Sequence, residues 1–246
     1  MIKSYIRSLL EAKQTAFTII ELAIVMLIIG IIMGGVLAGR GMLSSARVNA
    51  IMDHATKITR AVDEFEKRYN QLPGDMYNPD VIFSANAING NPATTRGNGD
   101  GVVSGDEGIY AFQHLALAGI LEGNFNGTWN YSNLYHGPID NSIFYFVNNY
   151  DDAIVLRFAK ATIPSGVLTV AQRTGAVLTV KEMMEIDNKF DNGNPATGMI
   201  IAYTGSDAPA NSCVNGGSYN SAYISSERPT CYFEMRIKRN YYSLVN

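Results

Sequence analysis

Glu21 is the only ionisable side chain between Phe17 and Gly39. A carboxylate in an apolar helix costs up to about 3 kcal/mol at the centre of a bilayer and less near its edge, so it needs either a route to the interface or a partner. Snorkelling one turn into the helix supplies the first. A cut between Ala16 and Phe17 supplies the second, because it would place Glu21 fifth in the shortened chain and create an amine at Phe17. Carboxylate and amine could then pair between neighbouring helices staggered along one axis.

Cys213 and Cys231 are the only cysteines. Outside the cytoplasm such a pair reads as a disulfide closing a loop, worth about 3 kcal/mol at this length. A metal pair is less well supported, since no neighbouring His or Cys completes a tetrahedral set. Asn98, Asp100, Gly101, Ser104 and Glu107 fall at positions three, five, six, nine and twelve of an EF-hand-like calcium loop. Arg96 stands at position one, where it replaces a carboxylate with a repelling cation. The competing reading is a glycine-rich turn feeding a capped helix, with at most weak calcium binding. Asp187 and Asp191 form a still weaker oxygen cluster. His54, His114 and His136 lack metal-ligand spacing, His54 is expected on a solvated helix face, and no G-x-S-x-G or phosphate-loop motif is present. The chain therefore reads as no enzyme and as having no certain cofactor.

These residues need elements to position them. Phe17 to Gly39 would form a helix of about 34 Å, enough for a bilayer core of about 30 Å. The segment before it carries Lys3, Arg7 and Lys13 against Glu11 and should stay on the cytoplasmic side, leaving the rest outside. Val48, Ile51, Ala55, Ile58, Val62, Phe65 and Tyr69 continue at steps of three and four, so one helix should run on to Tyr69 with an amphipathic second half. That stripe fits burial against the protein's own sheet better than a coiled-coil seam. Gly30, Gly34, Gly35, Gly39 and Gly41 allow either close helix approach or local unwinding, or are ordinary membrane-helix glycines. Gln71 to Asp75, with Pro73 and Gly74, should end the helix. A short second helix is expected after Ser104 and Glu107, spaced as a capping box, and closing at Gly123. A third is expected over 180–190, capped by Thr179 with Glu182. Runs at 143–147, 153–159, 199–204 and 232–237 predict an antiparallel sheet.

Composition sets the outer limits. The chain has 246 residues, 47% hydrophobic and 17% charged, with Gly 23 and Pro 8, which excludes collagen-like and wholly disordered classes. With 19 basic and 22 acidic residues the net charge is -3. Loss of residues 1–16 would leave 16 basic and 21 acidic residues, a net -5, so nucleic-acid binding by net attraction is disfavoured.

The stretch KQTAFTIIELAIVMLIIGIIMG resembles the N-terminal signal of type IV pilins and of type II secretion pseudopilins. Phe17, Thr18 and Glu21 match it residue by residue, while Ala16 stands where the family usually has Gly and Ala38 where pilins often have Pro. The segments YNQLPGDM, FQHLALAGILEG and EIDNKFDNGNPATG are similar to stretches recurring in pilin-like proteins with large heads. The resemblance implies a leader at 1–16, cleavage by prepilin peptidase between Ala16 and Phe17, and N-methylation of Phe17. It also implies pairing of Glu21 with a neighbour's amine during assembly. The implied fold is α+β and pilin-like: a filament-core or membrane helix at 17–39, its amphipathic half at 40–69, and a sheet-based head at 70–246. A C-terminal disulfide loop is common in such heads. The implied partners are like or related pilin subunits in a helical filament, the inner-membrane assembly machinery and, before assembly, the lipid bilayer. The implied location is the bacterial inner membrane, then a periplasmic or extracellular filament. A pseudopilin is the alternative within this architecture, and a membrane-anchored periplasmic enzyme or binding protein is the alternative outside it.

Overall fold

The computed structural model describes residues 18–83, 96–149 and 152–239. The expected leader and the Ala16–Phe17 junction lie outside them. The chain divides into two compact units between Ser44 and Ser45.

Helix α1 covers Ile19–Tyr69. In the first unit its apolar side chains are exposed on every side, with Ile19, Leu22, Met26, Ile29 and Met33 all open. In the second unit the three-and-four spacing does what it predicts: Val48, Ile51, Ala55, Ile58, Val62 and Phe65 are fully buried in that unit's own core. Asn70, in the left-handed region at φ 52, turns the chain out of the helix ahead of Pro73. Gly74 follows at φ 94, where a Cβ would lie 2.4 Å from the Glu107 carbonyl oxygen, so only glycine fits.

A short helix α2, Pro79–Phe83, leads toward the 96–106 loop, and α3 covers Glu107–Leu117. Two expectations for α3 are corrected. Its N-cap is Asp106, which makes no side-chain cap bond, and the helix is over before Gly119, which adopts φ 67. Only half of the Ser104–Glu107 box forms: the Glu107 carboxylate accepts the Ser104 and Asn98 amides, at 2.8 and 2.9 Å, but the Glu107 amide donates to the Ser104 carbonyl at 3.0 Å and not to its hydroxyl. Helix α4, Val180–Phe190, has the full capping box of Thr179 and Glu182. It is clasped to α1 by Ser45 Oγ donating to Glu185 (2.7 Å) and by the Arg47–Glu182 ion pair (3.3 Å).

The strands are β1 Tyr135–His136, β2 Ser142–Asn149, β3 Asp152–Lys160, β4 Ile200–Thr204, β5 Val214–Asn215, β6 Ser218–Tyr219 and β7 Cys231–Arg239. The main sheet is antiparallel in the order β1-β2-β3-β7-β4, and β5 and β6 form a separate hairpin. Register sorts the side chains by face. Phe144, Phe158 and Phe233 align across β2, β3 and β7, with ring centroids 4.5 and 5.5 Å apart, and build the core. One residue along, Tyr145, Arg157 and Glu234 align on the opposite face. Arg157 Nε donates to Glu234 (2.8 Å), and Arg157 Nη1 donates to Tyr145 Oη (2.9 Å). The antiparallel sheet behind a long N-terminal helix is the α+β arrangement expected of a pilin-like fold.

Candidate functional site

The N-terminal site begins at Thr18, the first described residue. The Thr18 amide and hydroxyl both donate to Glu21 Oε2, at 2.8 and 2.9 Å, and the Glu21 amide donates back to Thr18 Oγ1 at 3.2 Å. This is a capping box at the mouth of α1, which satisfies two helix-terminal amides and holds the acid against the positive end of the helix dipole. The Thr-x-x-Glu spacing of Thr18 and Glu21 is the sequence signal of this cap. Glu21 Oε1 accepts no hydrogen bond among the described residues. The Phe17 amine lies outside them.

Beyond this cap the helix offers one kind of surface. A helix apolar on all sides is suited to hydrocarbon or to a bundle of its own kind. A Cβ added at Gly30, Gly34, Gly35, Gly39 or Gly41 meets nothing within 4 Å, so these positions are open to a neighbour's approach. Among the described residues no helix is long and apolar enough to cross a membrane. The described apolar side chains run over 19–35, about 26 Å of helix against a hydrocarbon core of about 30 Å; Phe17 and 36–38 of the expected span fall outside them.

The calcium residues are used differently. Glu107 Oε1 accepts the Asn98 amide, and Oε2 accepts the Ser104 amide and hydroxyl. Asp100 Oδ1 accepts the Val102 amide, and its Oδ2 accepts Asn98 Nδ2. Arg96 is paired with Asp80. The loop's centre is Asp75, a residue that sequence spacing does not single out: its oxygens accept the amides of Gly99 (2.7 Å), Asp100 (3.1 Å) and Gly101 (2.8 Å). Burial pushes the Asp75 carboxyl up to about 6 despite the Gly101 and Gly99 amides, with the Glu107 and Asp100 charges adding to the rise. A cation would have to displace these amide hydrogens. No group of three or more His, Cys, Asp or Glu side chains suited to a metal occurs among the described residues.

Asp187 and Asp191 are likewise occupied. Asp187 accepts Tyr219 Oη at 2.6 Å and the Gly193 amide at 3.0 Å, and Asp191 accepts the Ile200 amide at 2.7 Å. The three histidines each have a separate structural partner. His114 is fully buried and its Nδ1 accepts the Gly74 amide at 2.9 Å. His136 lies edge-on to Tyr131. His54 is only part-exposed, corrected from a solvated position: its Nδ1 is 3.1 Å from Tyr135 Oη and its ring stacks parallel to Phe144. Cys213 and Cys231 form a disulfide, Cα–Cα 5.1 Å, which ties the β5–β6 hairpin to the start of β7.

Residues 12–37 match the prokaryotic N-terminal methylation motif. That motif is the signature of prepilin-type signals in type IV pilins and pseudopilins, and it contains Ala16, Phe17, Thr18 and Glu21. No curated protein and no solved structure matches the chain.

Proposed function

We propose that this chain is a structural subunit of a type IV pilus-like filament, cut by prepilin peptidase between Ala16 and Phe17, methylated at Phe17 and assembled through its N-terminal helix. The observation that carries this reading is the methylation motif at 12–37 together with a helix from Ile19 whose described first part exposes apolar side chains all round and a single carboxylate near its start. In the membrane the Thr18–Glu21 box holds the acid at the helix end. In the filament Glu21 pairs with the Phe17 amine of an adjacent subunit and sets the stagger between helices, while apolar contacts between helices supply the cohesion.

The test is a Glu21→Ala chain expressed as the only copy, with membrane and sheared-filament fractions measured separately. Membrane insertion and cleavage are expected to persist, and intact mass should show loss of the sixteen-residue leader from wild type and variant alike. Incorporation into filaments should fall sharply. Normal incorporation would overturn the role of Glu21, and a wild-type chain cut after Gly39 would overturn the filament reading itself. Short filaments confined to the periplasm would assign the chain to the pseudopilins instead.

A further inference from the structure

On the sheet face opposite the phenylalanine ladder, two loops pack against Tyr145 of β2. They are joined by the Leu168 amide donating to the Trp129 carbonyl and the Tyr131 amide donating to the Gly166 carbonyl, both at 2.9 Å. The turn Ala171–Arg173 is pinned to β2 by Tyr145 Oη, which donates to the Arg173 carbonyl at 3.0 Å. Between loops and sheet lies a cavity of about 160 Å³, lined chiefly by Trp129, Tyr145, Asn148, Arg157, Val170 and Arg173.

Its two guanidinium groups are not equivalent. Arg157 is committed, with Nε and Nη2 on Glu234 and Nη1 on Tyr145. Arg173 lies over the Trp129 ring, 3.5 Å from the centroid, and the indole is itself fixed by its Nε1 donating to Asp106 at 2.7 Å. Among the described residues only Nε of Arg173 has an acceptor, the Thr169 carbonyl at 3.3 Å. No acceptor among the described residues meets its two terminal nitrogens, so a planar fork of four N–H donors, stacked on the indole, stands at the cavity wall. Burial also holds the Arg173 guanidinium below its ordinary value, an electrostatic cost that an incoming anion would relieve. An exposed apolar side chain, Val170 (65% exposed), lies at the cavity's rim.

We propose that this cavity binds a carboxylate carried on a single six-membered ring, a hexuronate unit or a free aromatic acid, with Arg173 as its bidentate anchor. A carboxylate matches a flat guanidinium fork in geometry, and the rigid shelf lowers the entropy cost of forming both bonds. Charge favours a monoanion over a phosphate dianion, because Glu234 already neutralises Arg157 and Asp106 adds a second negative group beside the indole. The volume suits one ring, whose body would rest against Val170 and the Tyr145 edge of the cavity.

The chain contains one tryptophan, so Trp129 emission reads this cavity alone. The experiment titrates detergent-solubilised full-length protein with glucuronate and with benzoate, using glucose and benzamide as neutral controls. A saturable change with either acid, absent with its control, is expected; response to glucuronate alone identifies the saccharide source and response to benzoate alone the aromatic one. Arg173→Gln should weaken binding at least about tenfold, with Arg173→Lys restoring part of it, because a lysine supplies the charge without the fork. Val170→Phe, an exposed substitution at the mouth, should also weaken binding by obstruction and serves as the deciding variant if Arg173→Gln fails to fold. No saturable response to either acid, equal response to the neutral controls, or unchanged affinity in the folded deciding variant would overturn the proposal.

Discussion

Asp75 shows how one buried side chain can organise a loop and tie its stability to pH. Its carboxylate collects three amides from residues 99–101, yet burial raises its pKa to about 6, against an unfolded value of about 3.9. Between those values the folded chain holds a proton that the unfolded chain has released, so this group makes stability fall as pH rises through the interval, with no further change above it. Denaturant unfolding of the full chain in detergent at a series of pH values between about 4 and about 7 should show this fall as the difference between wild type and Asp75→Asn. Parallel profiles for the two proteins would show that Asp75 does not titrate there. The sequence displays Asp75 only as part of a helix-ending LPGD turn. Its role depends on the fold bringing residues 75 and 99–101 together, which no local pattern encodes. Thr18 and Glu21 were legible by spacing, and so was the calcium-like loop, but the same oxygens serve ion, amide or cap equally well until their neighbours are known.

Elements were legible where their signals are local. The Thr179–Glu182 box marks the start of α4 and the Asp191-Asn192-Gly193 turn its end, and four of the strands announce themselves as branched and aromatic runs between turn formers. The two-residue strands β1, β5 and β6 are too short for any periodicity to show. The start of α3 differs from the spacing because only half of the Ser104–Glu107 box forms, the Glu107 amide meeting the Ser104 carbonyl and not its hydroxyl. That helix also packs a glycine directly against β2. A Cβ at Gly108 would fall 2.0 Å from the Phe146 carbonyl oxygen, a backbone atom of β2 that cannot swing aside. Gly108→Ala should therefore destabilise, since overpacking costs about 1–3 kcal/mol or more and outweighs the roughly 1 kcal/mol gained in helix propensity. The check is a lowered thermal midpoint, with Gly105→Ala as comparison: there a Cβ meets nothing within 4 Å and only the positive φ opposes it. Equal effects at both positions would mean that the α3–β2 contact has room to spare.

At the scale of the whole molecule the two units depend on different surroundings. The second unit has its own core and its own covalent tie, and closing the loop between Cys213 and Cys231, a sequence separation of 18, is worth about 3 kcal/mol in the chain-entropy account. Both thiols should resist labelling until reduction, and reduction should lower the unfolding midpoint; free labelling of the folded, unreduced protein would contradict the bond. The boundary at Ser44–Ser45 makes a stronger claim, because it cuts through α1 and not at the helix end. A chain beginning at Ser45 keeps every α1 side chain buried in the core, from Val48 to Phe65, and the contacts of Ser45 and Arg47 with α4. It sheds the exposed apolar surface of 19–33 and should be soluble, monomeric and cooperatively folded without detergent. A chain beginning at Asn70 loses Ile51, Ile58, Val62 and Phe65 among others, at about 1.5–3 kcal/mol for each large side chain, which consumes most or all of the about 5–15 kcal/mol by which a domain is stable. It should fail to unfold cooperatively. Circular dichroism melts of the two chains, with size-exclusion chromatography for oligomeric state, decide the matter. A stably folded chain from Asn70 would show that the amphipathic half of α1 is an attachment to the sheet and not part of its core, whereas aggregation of the chain from Ser45 would show that the unit needs more of the helix than its buried stripe.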